Sequence, residues 1–201
     1  MNIRLTESQA KAFADVNKRL GMGPTETTFS QEDCKSSGGA THFSSDPLSS
    51  HIPPKIVPVA SIAELNKLVG IADTNDDSHV EYPVSLPKAH LAVFNSAKST
   101  EEFHSSVTHE MHANIHKAAT AYVLGNSKKV HEYEPLINAR MFPGKVAVFV
   151  AQNITVTAES PLIIKPGDPQ LHNYGIVTIK PGGYIRVEEH ATFNVQQFIV
   201  E

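Results

Sequence analysis

Residues 145–201, KVAVFVAQNITVTAESPLIIKPGDPQLHNYGIVTIKPGGYIRVEEHATFNVQQFIVE, are the stretch whose reading decides the fold. Apolar doublets recur in it on alternating residues: Ile154 and Val156, Leu162 and Ile164, Val177 and Ile179, Ile185 and Val187, Phe193 and Val195. Moving the chain by 23 residues lays the first two doublets on the third and fourth. A coil of that length, cut into three short strands with alternate residues turned inward, is what one turn of a right-handed parallel β-helix requires. The same runs also fit antiparallel hairpins of a small β-sandwich or roll, with KPGD and KPGG at the turns. The coil is the leading expectation and the hairpins its alternative. A short coil leaves strand edges and an apolar cross-section open at each end, and proteins cover such surfaces with a helix or a partner chain. A helix upstream would serve at one end, and the other, near Phe198, Ile199 and Val200, favours self-association.

Upstream, the punctuation is helical. Thr6 and Gln9 make a capping box ahead of Ala10, Phe13, Val16 and Leu20, and Gly21 closes the segment. Ser61 with Glu64 repeats the pattern, and so does Ser99 with Glu102, ahead of a long helix ending near Gly125. Residues 80–95 alternate around a proline and read as two short strands. Between the first two helices lies a Ser-, Gly- and Pro-rich stretch, expected to be an extended arm or mobile linker unless another surface supports it. Its last part, Pro53 to Ala60, suits an edge strand. The chain is thus expected to be α+β, with N-terminal helices and short strands followed by a β-rich module. The divisions are a helix over 1–21, an arm over 22–60, a mixed region over 61–140 and the module over 141–201.

The densest chemistry is HEMHANIHKAATAYVLG, residues 109–125. At about 100° per residue, Phe103, Val107, Met111, Ile115, Ala119 and Tyr122 share one stripe. His109, His112 and His116 share the opposite face. His112 and His116, one turn apart, have the spacing to chelate a divalent metal. The glutamate-histidine spacing does not match H-E-x-x-H, so this is not a zincin helix. Glu110, His131, Glu132 and His104 are the further ligand candidates in sequence, although His104 falls on the apolar stripe.

Other motifs are weaker. DTNDDS, residues 73–78, opens like a calcium loop but has Ser78 where the loop needs glycine and Val84 where it needs glutamate, so it reads as an acidic turn. Glu188, Glu189 and His190, and Asp168 with His172, read as a charged rim before an acid-base set. Cys34, the one cysteine, lies in a polar loop-like context and reads as incidental. No G-x-S-x-G elbow, phosphate loop or dinucleotide fingerprint occurs.

Composition narrows the function classes. Seventeen Lys and Arg against 21 Asp and Glu give a net charge of -4, and the basic residues are scattered, so no nucleic-acid partner is expected. No apolar run approaches a membrane span, and no secretory signal opens the chain. A cytoplasmic protein is expected, with non-classical export left open. Eleven histidines make charge, and hence assembly, sensitive to pH near 6.5. The leading functional expectation is a non-enzymatic structural or binding protein. Its β-rich module mediates homo-oligomer formation or binds an extended ligand such as a glycan, or a protein partner, with no cofactor. The alternative is a metal-dependent enzyme or metal-binding protein that holds a divalent transition metal on His109, His112 and His116.

Overall fold

The computed structural model describes residues 4–36, 38–188 and 191–201, and the chain divides into two units. One joins Met1–Val57 to Lys145–Glu201, and the other is Pro58–Gly144. Together they form an α+β protein with seven α-helices and two sheets among the described residues.

The first unit opens with α1 (Glu7–Arg19) and α2 (Gln31–Ser36), followed by β1 (Thr41–Phe43) and β2 (Lys55–Val59). The tail supplies β3 (Gly144–Val156), β4 (Leu162–Ile164), β5 (Gln170–Ile179), β6 (Ile185–Val187) and β7 (Ala191–Val200). The tail alternates between two sheets, of order β1-β4-β6 and β2-β3-β5-β7. The doublets read from sequence meet in register: Ile154 lies beside Val177, Val156 beside Ile179, Leu162 beside Ile185 and Ile164 beside Val187. The β1–β4, β4–β6, β3–β5 and β5–β7 ladders are all parallel. The antiparallel sandwich or roll is therefore not what these strands form, because each PG turn carries the chain across to the other sheet instead of back along the same one.

Two details depart from expectation. Each 23-residue period supplies two strands, one to each sheet, not three. Gln152 and Asn153 are both exposed, which shifts the inward alternation by one residue, and the ladder skips the Gln152–Gly175 pair. The last step is also shorter. Gln170 pairs with Ala191, an offset of 21, so His172 meets Phe193 and Tyr174 meets Val195.

The described part of residues 22–60 packs on the tail. It carries few apolar groups, but Met22, Phe29, Cys34, Phe43 and Ile52 are all buried. Phe29 sets its ring edge-on to Phe43 and Tyr174, 5.3 and 5.9 Å away. The arm also bonds backbone groups of β3. Thr28 and Phe29 donate backbone N–H groups to the Val150 carbonyl, and Gln31 accepts from Thr155 N while donating to Thr155 O. A polar segment can afford to order here because the open cross-section of the tail supplies the apolar surface that the segment lacks. The arm thus packs against the β3 side of the tail, the place for which the sequence suggested a helix.

Helix α1 forms with the capping box that its sequence announces, and it packs on β5 and β7. Its buried Asn17 donates to the carbonyls of Gly23 and Glu26 and accepts from Asn173 Nδ2 at 2.8 Å. One amide thus fixes the helix, the following turn and β5 together.

The second unit holds α3 (Ile62–Val69), α4 (Lys88–Ser96), α5 (Thr100–Ser106), α6 (His109–Leu124), a 3₁₀ segment over Ser127–Tyr133 and α7 (Glu134–Met141). The strands expected over residues 80–95 are absent. Pro87 instead starts α4, because its fixed φ suits a helix entry and KAHLAVF continues one readily. The long helix expected over 99–125 is two helices. Ser105 and Ser106 hydroxyls return to the Glu101 and Glu102 carbonyls, Val107 turns extended, and Thr108 caps a new helix at Met111 N.

Candidate functional site

The histidine face of α6 keeps part of its expected geometry. Met111, Ile115, Ala119 and Tyr122 are buried, while His109 and His116 are exposed and His112 is half-buried. The His112 and His116 rings lie 4.4 Å apart, tilted by 48°. The supporting ligands suggested by sequence do not join them. His104 is exposed, not held against the core, because the helix break moves it off the Met111 stripe, and its Nε2 pairs with the Ala139 carbonyl. Glu132 accepts from Leu86 N. Among the described residues no three His, Cys, Asp or Glu side chains are grouped to hold a metal ion.

His131 belongs to a different arrangement. Its Nδ1 lies 3.0 Å from Glu134 Oε2, and the same oxygen accepts the Tyr122 hydroxyl, also at 3.0 Å. Desolvation, aided by that carboxylate, pushes the Tyr122 hydroxyl up to about 12, so it stays protonated and donates. A cleft of about 440 Å³ lies beside the group, lined by His131, Glu132, Glu134, Pro135 and Asn138. These residues orient an imidazole, but none of them is a hydroxyl or thiol nucleophile. Sequence reasoning missed Glu134, whose partner Tyr122 sits twelve residues upstream on another helix.

The acidic turn over 73–78 is fully engaged in structure. Asp73 accepts Ser127 N and its hydroxyl, Asp76 accepts Ser78 N, and Asp77 takes Tyr82 and Lys129. These carboxylates staple the turn to the end of α6, consistent with an acidic turn and not a calcium loop.

In the tail, the residues suggested as a rim separate. Asp168 pairs with Lys145, and Glu188 pairs with Lys165 and Arg186. Glu189 and His190 lie outside the described residues. His172 is no rim residue. It is wholly buried, stacked between Phe149 at 5.0 Å and Phe193 at 4.6 Å, with Nδ1 2.6 Å from the Tyr174 hydroxyl and Nε2 without a hydrogen-bond partner. Burial drives its pKa down to about 3, so it is neutral. Cys34 is likewise interior, on α2 instead of in a loop, and desolvation pushes its thiol up to about 11. A neutral thiol is a poor nucleophile.

The end of the tail at β6 and β7 leaves several large apolar side chains exposed. Phe149, His172 and Phe193 stack in successive repeats, and only the last is half-exposed. Val156 is 0% exposed, its neighbour Ile179 is half-buried, and Val200 beyond it is 71% exposed; Ile164 is 0% and Val187 47%. Phe198, next in the Ile154–Val177 row, is 54% exposed. No charge and no proline interrupts ATFNVQQFIV, whereas the opposite edge strand, β2, carries Lys55 and Pro58. Lysine and proline are the usual means of blunting an edge. None of the described helices is long and apolar enough to cross a membrane. Comparison with protein-family models, curated proteins and solved structures found no match to this chain.

Proposed function

We propose that the tail is a short right-handed parallel β-helix, completed by the arm, and that it serves as a non-enzymatic self-assembly module. One observation carries the reading: two inward rows, Ile154–Val177–Phe198 and Val156–Ile179–Val200, go from fully buried to largely exposed between β3 and β7. Apolar area left at one end of a stack is stabilised by covering it, at roughly 25 cal/mol per Å². The uncharged β7 edge adds unpaired backbone groups that another strand would satisfy. Sedimentation velocity over a range of concentrations is expected to show association, weakened about tenfold or more by Phe198→Lys, which sets a charge in the contact. Equal association of the wild type and the variant would remove this surface from the account. Binding of an extended glycan or a foreign strand to the same edge would leave the chain itself monomeric in that experiment.

A second reading is supported by the His112–His116 pair. Imidazoles one helical turn apart, with rings already 4.4 Å from one another, need only small side-chain rotations to place a nitrogen from each at about 2.0–2.1 Å from one zinc or nickel ion. His109 on the same helix is the further ligand this reading would recruit. Calorimetric titration of untagged protein with zinc or nickel is expected to give a site that His116→Ala abolishes. No heat of binding in the wild type would end this reading.

A further inference from the structure

We infer that the assembly is a closed two-fold pair and not a fibre, an inference that rests on the self-assembly reading above. A fibre of stacked repeats needs two complementary open ends, because each copy must offer its last strand to the first strand of the next. The described residues offer only one. At the β3 end, Phe29, Cys34, Phe43 and Ile52 fill the cross-section, and Thr28, Phe29 and Gln31 occupy backbone groups of β3 that point away from β5. That sheet then ends in β2, with Lys55 and Pro58 on its edge. At the β7 end α1 packs on the strand, but the side-chain hydrogen bonds to β7 backbone from outside the sheet reduce, among the described residues, to Gln9 Nε2 on the Gln196 carbonyl.

A single open surface can meet only its own counterpart, and that contact is isologous. A two-fold axis normal to the sheet sets two β7 strands antiparallel, so two four-stranded sheets become one continuous sheet and both free edges disappear. Like charges facing themselves across such an axis would oppose it. The described rim carries both signs close together, since Lys180 pairs with Glu201, and Glu188 holds both Arg186 and Lys165.

The test is light scattering of the full chain after size exclusion, across a wide concentration range. The expected mass plateaus at twice the 21.9 kDa chain mass, and Phe198→Lys and Val200→Lys each return it to the monomer. Both side chains are largely exposed in the single chain, so neither substitution removes core packing, and circular dichroism verifies the fold. Mass that climbs with concentration without a plateau overturns the closed pair and leaves self-assembly standing. A monomer at every concentration, or a dimer that both variants retain, overturns the pair and the reading beneath it.

Discussion

Acidifying the protein from pH 7 to pH 4 is expected to lower its folding stability by about 3 kcal/mol through His172 alone. In the unfolded chain this imidazole gains its proton near 6.5, whereas in the folded core it does so only near 3. Between those values the unfolded state binds more protons, so stability is fully present above about 6.5 and falls as the pH falls toward 3. The cause is local: both faces of the ring are covered by Phe149 and Phe193, and among the described residues no carboxylate offsets a buried charge there. Urea unfolding at several pH values, compared with a His172→Phe/Tyr174→Phe variant, separates this effect from that of surface carboxylates. Removing both polar partners leaves neither unpaired, so the variant is expected to match the wild type at pH 7 and to lose most of the acid slope. An unchanged slope would place His172 outside this core.

Gly175→Ala is expected to cost about 2–3 kcal/mol, lowering Tm by roughly 5–10 °C. A methyl group there would collide with the Gln152 carbonyl oxygen of the preceding repeat and lie 3.2 Å from Leu5 Cδ1. Gly183→Ala meets the same obstacle, with its methyl 2.5 Å from the Val156 carbonyl oxygen and 3.0 Å from that of Lys180. Backbone on the neighbouring repeat cannot swing aside as a side chain can. Gly39 serves as the control, since nothing lies within 4 Å of the added carbon, and alanine there is expected to be neutral. Thermal melts of the three variants check the contrast, and equal Tm values would mean that these corners are not closely stacked.

The period of the tail was legible because Ile154, Val156, Leu162 and Ile164 and their counterparts one repeat on are plain aliphatics in a fixed spacing. The first half of β5 was not, because its inward residues are Gln170, His172 and Tyr174, and polar side chains hide an inward row from any hydrophobic count. The arm misled for a related reason. Phe29, Cys34, Phe43 and Ile52 are too widely spaced to show a period, and their burial depends on a surface more than a hundred residues downstream. Caps at Thr6, Ser61 and Ser99 were readable since they act within three residues. The break at Val107 was not, because apolar spacing runs straight through it while the serine hydroxyls and Thr108 redirect the backbone. Angular counting sets the histidines of α6 away from the buried Met111 stripe, but whether other ligands reach them depends on helix packing that such counting does not address.

Hydrogen exchange along β7 tests the central claim most directly. In a parallel edge strand, alternate amides point away from the neighbouring strand, so in an isolated chain half of the β7 amides would exchange quickly. The account predicts that wild-type β7 is protected at both sets of positions, that Phe198→Lys exposes only the outward set, and that β5 is unchanged in either protein. Fast exchange of the outward β7 amides in the wild type at high concentration would contradict it.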